Sequence, residues 1–199
     1  MHPAVFEAFE LICRHRRAGG HVLEVGATPT DDTLLCLPAL QEAASRVGLN
    51  MDGPHRHRGF DIVRGNANDM ACFADASFDT VLCNATLEHD PRFWLTLAEI
   101  RRVARRDAVV VIGVPGFDRL PSDTRLRRLR SLPGVPRWIR VPPPALPCST
   151  LTLQVHEYPG DYYRFSPQAV REVFCAGLRD VEVETVLVPP RVIGSGIRE

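Results

Sequence analysis

The fold is decided by residues 78–115, whose sequence is FDTVLCNATLEHDPRFWLTLAEIRRVARRDAVVVIGVP. The two ends of this stretch are apolar and rich in β-branched side chains, which favours two buried strands. Between them, residues 91–106 place Trp94, Leu97 and Ile100 on one face of an amphipathic helix. A strand, a helix and a second strand in this order predict a βαβ unit with parallel strands.

The same alternation continues on both sides of this unit. Further strands are predicted at 21–25, 46–50, 60–65, 181–188 and 191–195. Further helices are predicted at 3–17, from Asp31 or Asp32 to about Ser45, and at 166–178 with Ser166 as the N-cap. We therefore expect an α/β fold, in which helices cover both faces of a Rossmann-like, mostly parallel sheet of seven strands.

A proline- and arginine-rich stretch follows the fifth predicted strand. Eight of the 17 prolines lie between Pro115 and Pro147, and residues 118–140 hold seven arginines against two aspartates. We expect a cap inserted at 117–165 into a single domain that spans residues 1–199, and a short helix at 122–132. A mobile lid or a dimer surface would suit its arginines.

The composition excludes several classes of protein. The chain has 199 residues, 24 of them basic and 24 acidic, and the net charge of zero disfavours a general nucleic-acid partner. No apolar run approaches the roughly 20 residues that span a bilayer, and the N-terminus does not have the order of a signal peptide. The six cysteines lack zinc-finger spacing. We predict a cytoplasmic protein with free thiols and no membrane partner.

Three segments of the chain, taken in order, resemble the class I S-adenosylmethionine-dependent methyltransferases of the methyltransferase type 11 kind. They are VLEVGA (22–27), GNANDM (65–70) and residues 73–116. The resemblance covers about residues 20–116 and implies S-adenosylmethionine as the cofactor. By this resemblance, Glu24 and Gly26 approach the methionine part of the cofactor. The remaining implied positions are Asn50 or Asp52 for the ribose, Asn66 and Ala67 for the adenine edge, and Asn84, Ala85 and Leu87 beneath the sulfonium.

Candidates for acceptor chemistry lie in two segments. His89 and His156 are the candidate general bases, and Glu88 and Asp161 are expected to orient them. The segment HEYPGDYYRFSP (156–167) concentrates hydroxyl, aromatic and charged groups that suit a polyhydroxylated acceptor. Its candidate substrate-binding residues are Tyr158, Tyr162, Tyr163 and Arg164. This segment loosely resembles small actinobacterial methyltransferases of sugars and polysaccharides, which implies O-methylation of a sugar or oligosaccharide such as a mannoside.

Several alternatives stay open on the sequence. Ala27 to Thr30 stand where the family usually has further glycines, so a non-catalytic methyltransferase-like scaffold is one alternative, and a natural-product methyltransferase is another. Glu88 and His89 match the second half of an E-x-x-E-H metal site, with Ala85 at the first position, so a divalent ion such as Mg²⁺ stays open. Thr28 disfavours a nicotinamide-binding G-x-G-x-x-G loop. Base rates for soluble enzymes suggest a homodimer.

Overall fold

A computed structural model describes residues 1–119, 150–152, 155, 160–187 and 190–199. Its strands are β1 (His21–Val25), β2 (Ser45–Asn50), β3 (His55–His57), β4 (Phe60–Arg64), β5 (Phe78–Asn84), β6 (Ala104–Pro115), β7 (Phe117–Arg119), β8 (Thr150–Thr152), β9 (Leu178–Leu187) and β10 (Pro190–Arg198). Its helices are α1 (Pro3–Arg16), α2 (Phe93–Val103) and α3, in which Pro167–Ala169 continues as a π-helical turn, Val170–Phe174.

Eight strands form the main sheet in the order β3-β4-β2-β1-β5-β6-β10-β9, while β7 and β8 pair separately. The five central strands β4, β2, β1, β5 and β6 are parallel. β10 is antiparallel to both of its neighbours, and β3 is antiparallel to β4. The expected α/β class with a mostly parallel sheet is confirmed, and β3 makes eight strands where seven were predicted. The carboxyl ends of β1, β2, β4 and β5 share one edge of the sheet.

Alternating side chains of the central strands divide the core between the two faces of the sheet. On one face, α1 packs through Val5, Phe9 and Ile12 against a cluster that includes Leu82 of β5. On the other face, α2 and α3 pack against a cluster that includes Val81. Because successive side chains of a strand point to opposite faces, β5 contributes to both clusters.

The predicted helix from Asp31 to Ser45 is wrong, because the structure has two 3₁₀ turns there, Leu34–Cys36 and Pro38–Leu40. Leu37 precedes a proline, which disfavours helical backbone, and it is extended with ψ of 131°. The two turns also bury the side chains of Leu34, Leu35, Leu37 and Leu40 completely.

The chain leaves the sheet after β6, and Phe165, shortly before α3, contacts this point of departure. The amide of Phe117 donates to the carbonyl of Phe165 at 3.1 Å, and the amide of Phe165 donates to the carbonyl of Pro115 at 3.1 Å. A Cβ on Gly116 would lie 2.7 Å from the Phe165 carbonyl oxygen, so this approach requires glycine. Most of the predicted cap, including the helix expected at 122–132, lies outside the described residues.

Polar side chains of α2 hold the connection between β4 and β5, which has no helix of its own. The amide of Met70 donates to Glu99 Oε2 at 2.6 Å, and Arg102 donates to the carbonyls of Met70 and Phe73 at 2.9 and 3.0 Å. Arg102 also binds both oxygens of Glu99, which lowers the pKa of that carboxyl. These bonds fix the loop that begins with Asn66 and Ala67.

The five cysteines in the described ranges are free thiols, and Cys13, Cys83 and Cys175 are buried. Burial raises the pKa of Cys175 to about 11 and that of Cys13 to about 12. Among the helices that the structure describes, none has both the length and the apolar character needed to cross a bilayer.

We expect Glu99→Gln to lower the free energy of unfolding by about 1–2 kcal/mol at pH 7, because charge-assisted bonds to Arg102 and Met70 weaken. The folded-state pKa of Glu99 lies below its usual 4.5, so its contribution is present above that value and disappears as the pH falls through the lowered pKa. Urea unfolding of both proteins between pH 7 and 3 checks this. Glu7→Gln, an exposed change on α1, is the control, and a constant difference at all pH values would contradict the prediction.

Candidate functional site

The candidate site lies at the carboxyl edge of the parallel strands, where ligands of open α/β sheets bind. Glu24 is buried near the end of β1, and its Oε2 accepts hydrogen bonds from the Thr33 hydroxyl and from the Leu35 amide at 3.1 Å. Burial raises the pKa of Glu24, although these hydrogen bonds oppose the shift. Glu24 therefore anchors the first 3₁₀ turn and also lines the cavity described below.

Gly26 turns the chain sharply away from β1. Its φ is +84°, and a Cβ there would collide with the Thr86 hydroxyl, so only glycine fits. The loop that follows is held by its own side chains, because the hydroxyls of Thr28 and Thr30 lie 2.9 Å apart and Thr30 donates to Asp32 Oδ1 at 2.5 Å. Hydroxyl contacts thus fix a turn that further glycines would leave open.

The two candidate ribose residues have different surroundings. Asn50 donates through Nδ2 to the Ala27 carbonyl at 2.7 Å and accepts from the Asp52 amide at 3.0 Å. The side chain of Asp52 is 87% exposed, with its Oδ2 3.8 Å from His55 Nε2. Asn50 therefore helps to hold the loop after β1. Asp52 projects to the surface beside the edge hairpin, which β3 and β4 form.

The candidate adenine residues lie in a tight turn after β4. Asn66 Oδ1 accepts from the Asn68 amide at 2.9 Å, and Ala67 is partly buried against the core. Asn68 then donates to Asp90 Oδ2 at 2.5 Å and to the Thr96 hydroxyl at 2.9 Å. Sequence reasoning missed this link between the turn and the segment after β5.

The end of β5 contributes Asn84, Ala85 and Leu87. Asn84 is 9% exposed, and its Oδ1 has no hydrogen-bond partner in the described part of the chain. Ala85 has a φ of +53°, and the side chain of Leu87 is fully buried in the core. An unpartnered acceptor such as Asn84 Oδ1 is costly when buried, which makes it a candidate ligand contact.

Glu88 and His89 follow β5 in a 3₁₀ turn, Leu87–His89. Glu88 is fully buried, and its Oε1 lies 3.2 Å from Arg191 Nη1 at the start of β10. His89 contacts the Gly160 carbonyl through Nδ1, and its Nε2 lies 4.0 Å from Glu88 Oε1. Sequence reasoning missed Arg191, because a lone arginine beside the apolar residues of a short strand gives no chemical signal.

The acceptor candidates Asp161 and Arg164 form a buried ion pair with two contacts, one of them 2.6 Å between Arg164 Nη2 and Asp161 Oδ2. The amide of Tyr162 donates to the Glu88 carbonyl at 2.8 Å, while 57% of Tyr162 is exposed. The Tyr163 hydroxyl donates to the Pro91 carbonyl at 3.1 Å. This segment therefore packs directly on the Glu88 turn. His156 and Tyr158 lie outside the described residues.

A cavity of about 190 Å³ lies at the ends of β1 and β5. Its walls include four of the implied cofactor residues, Glu24, Gly26, Asn84 and Ala85, together with Arg191. The first turn of α1 closes another side. Ligand pockets usually measure about 300–1,000 Å³, so this cavity suits one part of a cofactor rather than the whole of it.

The residues present fit the methionine part of S-adenosylmethionine, because the cavity joins a glycine that permits close approach to an unpartnered acceptor at Asn84. They fit a metal ion less well. Neither at Glu88 and His89 nor elsewhere in the described ranges do three or more histidine, cysteine, aspartate or glutamate side chains lie close enough together to bind a metal ion.

Comparison with known proteins supports the same fold. The family model described as Methyltransferase domain matches residues 35–112, a range that begins after Glu24 and Gly26. No curated protein matches the sequence.

Three solved structures share the fold at low sequence identity. One is the 1,6-didemethyltoxoflavin-N1-methyltransferase of Burkholderia thailandensis with bound 1,6-didemethyltoxoflavin and S-adenosylhomocysteine, which is 15% identical over 98% of this chain and 78% of that chain, with a TM-score of 0.65. The PH0226 protein of Pyrococcus horikoshii is 16% identical over 98% and 90%, with a TM-score of 0.62. A protein studied for the conversion of a disulfide bond into a thioacetal group in echinomycin biosynthesis is 18% identical over 99% and 82%, with a TM-score of 0.56.

We expect Glu24→Gln to make the folded protein more stable than the wild type at pH 8 and equally stable near pH 4. The folded-state pKa of Glu24 is raised above 4.5, so the wild type loses stability as the pH rises from the unfolded to the folded pKa, by about 1.4 kcal/mol for each pH unit between those two values. Glutamine keeps an acceptor for Thr33 and Leu35 and has no charge to bury. Urea midpoints at pH 4, 6 and 8 check this, and an advantage of the wild type that grows with pH would contradict it.

Proposed function

We propose that this chain is a class I S-adenosylmethionine-dependent methyltransferase that methylates a hydroxyl group of a sugar or oligosaccharide. The observation that carries the choice of a hydroxyl is the setting of His89. Its ring lies beside the buried carboxylate of Glu88, which pairs with Arg191, and Arg191 lines the cavity that suits the methionine part of the cofactor. Hydroxyl acceptors need a base at such a position more than amine acceptors do, because a hydroxyl holds its proton far more tightly.

The contacts of His89 define its basic nitrogen. A carbonyl can only accept a hydrogen bond, so the contact with the Gly160 carbonyl places the ring proton on Nδ1. The lone pair of the neutral ring is then on Nε2, the tautomer that a general base requires. Glu88, whose Oε1 is 4.0 Å from that nitrogen, would orient the ring.

When bound, S-adenosylmethionine would supply an electrophilic methyl group on its sulfonium sulfur. The leaving group would be the neutral thioether S-adenosylhomocysteine. His89 Nε2 would accept the proton of the acceptor hydroxyl, and the imidazolium would then carry the positive charge. Gly26 and Asn84 would hold the methionine part of the cofactor, and Glu24 adds negative charge on the same side. Holding both reactants in line can lower the barrier by several kcal/mol.

Sugar acceptors are favoured by the segment that packs on the Glu88 turn. Tyr162 offers an exposed aromatic face, and aromatic rings suit the apolar faces of sugars. The buried pair of Asp161 and Arg164 holds this segment in place, and His156 and Tyr158 add polar groups directly before it in the sequence.

A non-catalytic scaffold is the second candidate. It is favoured by the loop after β1, where Thr28 and Thr30 close the turn on itself, and by Asn50, whose amide is committed to the Ala27 carbonyl. The two candidates differ in one property, since a scaffold has no need of the cofactor.

We expect S-adenosylhomocysteine to bind the purified protein with a dissociation constant in the micromolar range, with or without magnesium. Isothermal titration calorimetry measures this directly, and adenosine is the matched control ligand without the amino-acid part. Absence of binding in both conditions would favour the scaffold. Binding that requires magnesium would return a metal to the site.

We expect His89→Asn to lower kcat about 10²–10⁴-fold with a sugar acceptor such as a short mannoside, while the affinity for S-adenosylhomocysteine stays within about threefold. The asparagine amide can replace Nδ1 as donor to the Gly160 carbonyl but supplies no base. His21→Asn is the control, because His21 bonds Ser45 at the opposite edge of the sheet. Wild-type turnover by both His89→Asn and His156→Ala would overturn the base assignment.

A further inference from the structure

We propose that Arg191 binds the carboxylate of the cofactor's methionine part, so that Arg191 and Asn84 together recognise an α-amino acid zwitterion. This inference rests on the proposed function, since it concerns the same cofactor. It assigns a binding role to a residue outside every motif of the sequence and outside the 35–112 family match.

Arg191 is held at the cavity by the sheet itself. It begins β10, where it stands opposite Pro115 of β6, and its side chain is only 11% exposed. Nη1 lies 3.2 Å from Glu88 Oε1, and the side chain lines the cavity. The guanidinium is therefore fixed at one wall before any ligand arrives.

Arg191 has more N–H donors than have acceptors among the described residues. A guanidinium has five N–H donors, and Glu88 accepts from one nitrogen. The Nε of Arg191 is buried and has no partner in the described ranges. A buried donor without a partner costs about 1–3 kcal/mol, and a carboxylate is the acceptor that matches the planar guanidinium best.

Asn84 provides the complementary group on the same cavity. Its Oδ1 is buried and, within the described residues, lacks a donor, which an ammonium group would supply. Glu24, on the same cavity, adds negative potential that favours a cation there. Arg191 and Asn84 both line the cavity of about 190 Å³, so a cation and an amide side chain are available there to an amino acid.

A carboxylate could also come from an acidic acceptor. We assign the cofactor because the cavity offers the acceptor for an ammonium next to the site for the carboxylate, and only the methionine part carries both groups. Gly26, which lines the same cavity and permits close approach of a ligand to the backbone, supports this choice.

The test measures the affinities of two ligands by calorimetry. S-adenosylhomocysteine has the amino-acid part, and 5′-methylthioadenosine has the same nucleoside and sulfur without it. Arg191→Gln alone would leave the buried Glu88 without its cation and could unfold the protein. The variants are therefore Glu88→Gln as the background and the double variant Glu88→Gln/Arg191→Gln, with Arg198→Gln at the far end of β10 as the control.

We expect the double variant to bind S-adenosylhomocysteine about ten- to hundredfold more weakly than Glu88→Gln does, because a charge-assisted hydrogen bond is lost. Its affinity for 5′-methylthioadenosine should equal that of the background, and Arg198→Gln should match the wild type with both ligands. An equal loss for both ligands, or no loss, overturns the role of Arg191 and leaves the proposed function intact. A wild type that binds neither ligand overturns the proposed function as well.

A measurement on the wild type alone keeps the test valid if the variants do not fold. The analogue of S-adenosylhomocysteine that lacks only the carboxylate retains the ammonium and the nucleoside. We expect it to bind at least tenfold more weakly than S-adenosylhomocysteine, and equal affinities would overturn the inference.

Discussion

The buried ion pair between Glu88 and Arg191 is the interaction on which the site depends. It joins the turn after β5 to the first residues of β10, 103 positions further along the chain. Removing one partner of such a pair typically costs about 3–5 kcal/mol, because the other charge stays buried. The pair therefore links the turn that holds His89 to β10 across β6, and it does so beside the cavity that Arg191 lines.

Carboxylates hold the connections after β1 and β4, where this fold has short turns and loops in place of α-helices. Glu24 holds the 3₁₀ turn after β1, and Glu99 holds the loop after β4. Asp31 binds Arg58 of the edge hairpin through two contacts of 2.7 Å, which lowers the pKa of the aspartate. Each shortened connection thus has at least one fixed polar contact to a regular element or to a neighbouring turn, so the carboxyl edge of the sheet keeps its shape without the usual helical cover.

The sequence was sufficient to predict the elements whose pattern is local. The strand ends near Glu24, Asn84 and Glu88 follow from apolar runs that stop at polar residues, and the burial of Leu97 and Ile100 follows from the spacing of α2. Trp94, predicted on the same face of α2, is 53% exposed, so that part of the prediction is wrong. The connection from Asp31 to Ser45 was mispredicted, because its leucines pack against α1 and the sheet and Pro38 prevents a continuous helix.

Other features of the site depend on contacts between distant parts of the chain. Nothing near Arg191 in the sequence indicates that Glu88 lies beside it, and nothing near Asn50 indicates that its amide binds the Ala27 carbonyl. Ion pairs across the sheet follow no sequence period and no motif. The pair of Glu88 and Arg191 can therefore be identified only when the register of β10 against β6 is known. The roles of the site residues, including His156 and Tyr158, stay predictions.

The contact between Gly116 and Phe165 makes the sheet independent of the length of the segment that separates these two residues. Its two ends are tied together by backbone bonds, so the sheet is complete on either side of the contact whatever the segment contains. The entropy of closing a loop grows slowly with its length, by about 0.6 kcal/mol for each doubling. A change in the length of this segment would therefore cost little closure entropy and would leave the pairing of β6 with β10 in place.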